Sequence, residues 1–210
     1  MKMRFGILML VAGLAASPAA IADQGNWLVR VRGLYMMPAN ESEAIPALGV
    51  PSDAIHVQDK LFPEVDFSYF LTRNLALELI LTYPQSLDVS LLGLNIGSIK
   101  ALPPTLTLQY HFMPDEKLRP YVGAGINYTI FTDRDLFVPG LNIPLQTEND
   151  SFGAALQVGL DYEIAKNTFL NVDVKKVWIS SDLTVGSTGL RVSSVDVNPL
   201  LVGVGVGWRF

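Results

Sequence analysis

Apolar residues recur at every second position over most of the chain beyond residue 25, the period of strands whose two faces meet different surroundings. The run RPYVGAGINYTIF, residues 119–131, shows the pattern. Pro120, Val122, Ala124, Ile126, Tyr128 and Ile130 form one continuously apolar face. Arg119, Tyr121, Gly123, Gly125, Asn127, Thr129 and Phe131 form a mixed one. Further alternating segments lie at 26–37, 60–72, 74–84, 99–113, 151–164, 168–180 and 196–210. Segment 74–84 sets Leu75, Leu77, Leu79, Leu81 and Tyr83 against Ala76, Glu78, Ile80 and Thr82; in 168–180, Lys176 interrupts the apolar face.

The connections alternate in length. Short turns at Arg73-Asn74, Pro114–Lys117 and Ala165–Asn167 join the second segment to the third, the fourth to the fifth and the sixth to the seventh. The other four connections are longer and rich in Gly, Pro, Ser and Asn. Short turns at one end and long loops at the other mark an up-and-down outer-membrane barrel. Trp27, Tyr83, Tyr110, Tyr128, Trp178 and Trp208 sit near the ends of the apolar faces, where membrane interfaces favour amphipathic rings. A soluble β-sandwich also alternates, but here the second faces carry too much charge and glycine for a sandwich core. The expected fold is all-β, an eight-stranded antiparallel up-and-down transmembrane β-barrel, closed so that no backbone group is left unpaired in lipid. Its apolar faces meet lipid and its mixed faces look inward.

Composition sharpens this picture. Half the residues are hydrophobic and 17% are charged, greasy for a soluble domain. No apolar run beyond the N-terminus is long enough for a spanning helix. The N-terminus itself reads as a cleaved signal peptide over residues 1–22, with Lys2 and Arg4, the apolar stretch Phe5–Ala16, and the small-residue site Ala20-Ile21-Ala22. Residues 23–210 are then the barrel domain. Losing Lys2 and Arg4 takes the formal charge from −5 to −7, which argues against nucleic-acid binding. The absence of cysteine excludes disulfides and thiolate metal sites.

A barrel of this size has an interior that side chains nearly fill. Low and middle inward positions collect Arg30, Arg32, Arg119, Lys175 and Arg209 with Glu64, Asp66, Glu78, Asp161, Glu163 and Asp173. Such groups must pair, because uncompensated burial costs several kcal/mol, so they are expected to form a salt-bridged plug rather than an ion pathway. Glu64/Asp66 and Asp161/Glu163 have a spacing that could hold a divalent cation, but neighbouring arginines favour ion pairing, and no metal site is expected. The upper inward positions Leu34, Met36, Phe62, Ile80, Phe131, Val177 and Ile179 make an apolar funnel open to the outside. Pro63, Pro103, Pro104, Pro120 and Pro199 cannot donate to a ladder and mark either lateral gaps in the wall or bulges that shape it. His56 and His111 stand without a nucleophile-elbow serine, so no catalytic constellation is expected.

Six blocks carry a resemblance: NLALEL (74–79), LPPTLTLQYHF (102–112), RPYVGAGINYTIF (119–131), SFGAALQVGLDY (151–162), LNVDVKKVWI (170–179) and VDVNPLLVGVGVGWRF (195–210). In these the chain resembles the outer membrane protein W (OmpW) family. The resemblance implies a Gram-negative outer-membrane barrel in contact with lipid, without enzymatic activity or cofactor, engaged in passage of small hydrophobic molecules. Phe210, after Trp208, resembles the C-terminal aromatic signal read by the barrel-insertion machinery. Together with the funnel, this predicts passive uptake of small hydrophobic molecules that leave laterally into the membrane. The alternative is a structural or surface-interaction barrel with a packed lumen. The two differ in whether Phe62, Ile80, Phe131 and Ile179 line a cavity or interlock. Loops 38–58, 85–98, 132–149 and 181–194 carry no resemblance, so the substrate does not follow from it.

Overall fold

The computed structural model describes residues 25–46, 49–133, 136–138, 143–186 and 190–210; the leader expected at 1–22 lies outside them. The first strands in chain order are β1 (Trp27–Met37), β2 (Glu41–Ser42), β3 (Ile55–Val57), β4 (Lys60–Phe70), β5 (Leu75–Leu81), β6 (Gln85–Leu91), β7 (Leu94–Leu102) and β8 (Thr105–His111). They continue as β9 (Leu118–Thr132), β10 (Leu136–Val138), β11 (Ile143–Thr147), β12 (Asp150–Ala165), β13 (Thr168–Val177), β14 (Ser180–Val185), β15 (Leu190–Asp196) and β16 (Leu200–Arg209).

Eight of these close a ring in the order β1, β4, β5, β8, β9, β12, β13, β16, each antiparallel to its neighbours. The seam runs from Leu28↔Arg209 to Met37↔Leu200, so the first and last barrel strands leave no free edge. The turns at one end are tight. Thr72 Oγ1 accepts the amide of Leu75 at 2.9 Å, and Asn167 takes the left-handed conformation (φ 60°) that asparagine tolerates.

The two faces divide as the alternation predicts. Along β9, Val122, Ile126, Tyr128 and Ile130 are exposed, while Tyr121, Asn127, Thr129 and Phe131 are buried. Leu77, Leu79, Leu106, Leu108, Leu156 and Val158 are likewise exposed. An apolar belt this continuous would be untenable in water; it is a lipid-facing surface. Trp27, Tyr110, Tyr162 and Trp208 fringe the short-turn end of the belt, and Tyr35, Tyr83, Tyr128 and Trp178 the other. Lys176 lies on this outer face, half-buried, and donates to the Asn198 carbonyl oxygen, which places its charge at the rim.

Two expectations change. The segment 99–113 is not one strand, because the chain breaks at Pro103-Pro104, two successive residues without amide donors. β8 starts only at Thr105, and the residues before the break belong to β7, which pairs with β6 and with the upper end of β9. The connections expected as long loops are also largely strand. The hairpins β6–β7, β10–β11 and β14–β15, with β2 and β3, carry the sheet well beyond the barrel rim. Their inward residues, among them Ile55, Val89, Leu136, Leu145, Leu183 and Val195, join Leu34, Phe62, Phe131 and Ile179 in one apolar cluster.

Between β5 and β8 the ladder is interrupted. β5 and β8 pair up to Ile80↔Thr105, and β4 and β5 pair up to Val65↔Leu81. Above that level β4 continues to Lys60 on the β1 side alone. The chain from Thr82 to Pro84 faces Pro103 and Pro104 with no strand pairing until Gln85↔Ala101.

Candidate functional site

Alternate residues of β1, β4, β5, β12 and β13 bring charge into the barrel axis, and small residues opposite make room for it. A Cβ at Gly205 would lie 2.0 Å from the Val31 carbonyl oxygen and 2.7 Å from Arg32 Cγ, and one at Gly207 would lie 2.9 Å from Arg30 Cγ. Arg30 thereby reaches Asp66 at 3.0 Å, Glu78 at 3.4 Å and Asp161 at 2.6 Å. Arg32 contacts Asp66, Glu78 at 3.1 Å, Glu64 at 3.3 Å and Asp173 at 3.3 Å. Lys175 completes the cluster with Glu64 at 3.1 Å and Asp173 at 3.9 Å.

Neutral groups take up some of the remaining valences. Glu78 accepts from Thr107 Oγ1 and Gln157 Nε2, and Tyr121 donates its hydroxyl to Asp173 Oδ2 at 2.9 Å. These eight charged side chains are all buried, a fully desolvated, mutually paired layer. The four carboxylates with cation-holding spacing, Glu64, Asp66, Asp161 and Glu163, each face an arginine. His111 lies below, with Nε2 3.0 Å from Gln109 Oε1 and its ring stacked on Tyr121.

The other three members of the expected plug sit lower. Arg119 pairs with Glu163 at 2.8 Å and lies over the Phe169 ring. Arg209 lies 3.9 Å over the Phe70 ring, with Nε donating to the Gly25 carbonyl at 2.9 Å. Arg119, Arg209, Phe70 and Phe169 line, with Leu28 and Pro114, a small hollow at the short-turn mouth, a second stopper under the charged layer. Phe210 follows β16, exposed, with its amide donating to the Trp27 carbonyl at 2.8 Å.

Above the charged layer is a cavity of about 60 Å³. Leu34, Met36, Phe62, Ile80, Phe131, Val177 and Ile179 all line it, and Glu64 and Lys175 form its floor. Phe62, Ile80, Phe131 and Ile179 therefore surround a space rather than interlock. The cavity also has walls that the alternation did not single out: Gln85, Leu87, Ile99 and Ala101 from β6 and β7, Val197 and Leu201, and a polar stripe of Thr105, Asn127 and Thr129. The stripe was legible in the sequence, because Asn127 and Thr129 share the parity of Phe131. A second cavity of about 30 Å³ lies among the extracellular strands and shares Ile99, Phe131 and Val197 with the first.

The strand prolines divide. Pro63 sits in β4 above the last β4–β5 pair, and Pro103 and Pro104 bound the same interruption from the other side. Pro120 does not adjoin a gap. β9 is paired there on both sides, Pro120 opposing Leu160 and its carbonyl accepting the Phe112 amide at 2.8 Å. Pro199 is buried in the cavity wall, and its carbonyl accepts the Val177 amide at 3.1 Å.

A closed barrel of this kind, matched over residues 23–210 by the OmpW family model, decides the kinship. The chain belongs to the OmpW family. It is 30% identical to Outer membrane protein W of Vibrio cholerae, with the whole of both chains covered. It is 27% identical to the dibenzothiophene metabolism operon protein PahQ of Pseudomonas aeruginosa, covering 90% of each chain. Among solved structures it is similar to the outer membrane protein OprG of Pseudomonas aeruginosa, with a TM-score of 0.73 and 27% identity over 89% of this chain and 97% of that one. Like Outer membrane protein W and OprG, the chain is an outer-membrane β-barrel of a Gram-negative bacterium, its apolar belt in contact with lipid.

Proposed function

We propose that the protein is a passive conduit that takes small hydrophobic molecules from the cell surface into the outer membrane. The observation that carries this reading is the apolar cavity, unfilled, standing on a paired and desolvated ionic floor. Each CH₂ transferred from water into such a space is worth roughly 0.8 kcal/mol, so an apolar molecule gains by entering. Continuing through the floor would break ion pairs that have no water to replace them. A sideways path remains, through the interruption between β5 and β8 bounded by Pro63, Pro103 and Pro104, where the backbone holds the wall with few hydrogen bonds. The relative named for a dibenzothiophene metabolism operon supports an apolar, ring-bearing class of substrate. We assign the protein no catalytic step.

The test is the rate at which a small hydrophobic probe enters cells making the parent protein, against cells making Phe131→Asp or Ile80→Asp at equal surface level. A buried carboxylate in the cavity wall is expected to stop the protein-dependent uptake while the barrel still folds. Equal rates for folded parent and variants would return the lumen to a packing role.

A further inference from the structure

We infer that the cavity selects hydrophobic molecules that carry one hydrogen-bond donor, such as a phenol or an alcohol, and that Gln85 Oε1 is the atom that receives that donor.

Gln85 is the first residue of β6, buried to 2% exposure, on the wall of a cavity that is otherwise mostly aliphatic and aromatic. Its Nε2 donates to the Tyr83 carbonyl oxygen at 2.9 Å and to Thr82 Oγ1 at 3.3 Å. Those bonds fix which way the amide lies. Reversed, its oxygen would meet the lone pairs of the Tyr83 carbonyl, and the one hydroxyl within reach, Thr82 Oγ1, already gives its proton to the Pro63 carbonyl. The oxygen therefore stays on the other side, and Oε1 has no hydrogen-bond partner within the protein. A buried acceptor left unmatched carries a desolvation cost, so a ligand that supplies a donor there recovers part of that cost and one that does not leaves it standing.

The other polar groups of the cavity are already engaged. Asn127 Nδ2 donates to Thr105 Oγ1 at 2.8 Å, Thr129 Oγ1 donates to Asn127 Oδ1 at 2.7 Å, and Lys175 holds both oxygens of Glu64 at 3.1 Å. Thr82 Oγ1 donates to the Pro63 carbonyl at 3.0 Å. Gln85 thus stands at the interrupted stretch of wall, where a molecule leaving sideways would pass it. The apolar part of the ligand then faces Leu34, Phe62 and Ile80, and its hydroxyl faces the rim.

This names the substrate class of the conduit reading and rests on it for its consequence in transport, but binding alone tests it. The probes are toluene and para-cresol, which differ by one hydroxyl. The protein in lipid nanodiscs is titrated with each while the side-chain methyl signals of Ile80 and Ile99 report occupancy of the cavity. The ratio of cresol to toluene affinity is expected to fall roughly five- to tenfold, the worth of one neutral hydrogen bond, in Gln85→Met and again in Gln85→Leu, with toluene affinity retained. A ratio unchanged in folded variants overturns the inference, and so does a parent whose methyl signals respond to neither probe. Cellular uptake separates the two readings. A ratio that tracks Gln85 while uptake ignores the protein leaves the selective site standing and removes the conduit. An unchanged ratio with protein-dependent uptake removes only the site.

Discussion

Arg32 shows how much of the lumen rests on single side chains. It contacts four carboxylates from three other strands, Glu64 and Asp66 of β4, Glu78 of β5 and Asp173 of β13. Replacing it by Met removes the shared counter-charge and leaves those anions buried against one another. Breaking a buried pair from one side typically costs about 3–5 kcal/mol, and Arg32→Met is expected to lose at least that in urea unfolding from lipid vesicles. A loss below about 1 kcal/mol would mean that water reaches the layer and the floor is not sealed. That Arg32 points inward follows from alternation alone, because Val31 and Gly33 occupy the other face. Which carboxylates it takes does not follow, because cross-strand register decides it: Arg32 stands opposite Glu64 and Arg30 opposite Asp66. Gln85 was missed for a related reason, since its segment read as loop and its shorter hydrogen bond goes to a backbone carbonyl that no side-chain pattern reveals.

At the scale of elements, prolines and charges act where pairing is marginal. Pro103 and Pro104 delay the start of β8 to Thr105, and the double replacement Pro103→Val, Pro104→Thr restores two donors of strand-favouring type at that point. The ladder between β5 and the chain entering β8 is then expected to extend upward, and uptake of a hydrophobic probe to fall several-fold while cavity binding persists. Pro120→Val should leave uptake unchanged, because the wall is already paired there. Equal effects of the two replacements would dissociate the prolines from the exit.

The extracellular hairpin β14–β15 has its own clasp. Arg191 Nε donates to Asp182 at 2.8 Å, and Arg191 Nη2 lies 3.1 Å from Glu43. The hydrogen bond from Arg191 holds the Asp182 carboxyl below the usual aspartate range. A depressed carboxyl contributes stability above its unfolded-state value and loses it as pH falls through the folded one. Acidification below the ordinary aspartate range should therefore loosen the clasp, read as a shift of the Arg191 side-chain Nε–H resonance that is absent in Asp182→Asn. These hairpins could have been found in the sequence. QSLDVSL alternates Leu87, Val89 and Leu91 with Ser86, Asp88 and Ser90 as plainly as any barrel strand. Their turn-rich flanks concealed them, and only the shared apolar cluster shows that they prolong the barrel's interior.

The whole molecule is two apolar spaces in series on a closed ionic floor. The upper one lies among the extracellular strands and the lower one in the barrel, and Ile99, Phe131 and Val197 belong to the walls of both. Phe131 is the largest of the three, and its strand is held on both sides at that level, by Ala101 of β7 and by the Asn149 carbonyl. The backbone is therefore held there, and the ring stands in the wall that the two spaces share. Phe131→Ala thins that shared wall without adding charge. Truncating a well-packed core phenylalanine costs about 3–5 kcal/mol, but this ring already borders open space, so the loss is expected to fall at or below the lower end. Uptake of a small hydrophobic probe should rise a few-fold, the opposite sign to Phe131→Asp. A rise makes passage past this ring the slow step of the path. A fall in a folded Phe131→Ala barrel would mean that the ring serves as a binding surface, and the slow step would then lie further along, at the interrupted wall.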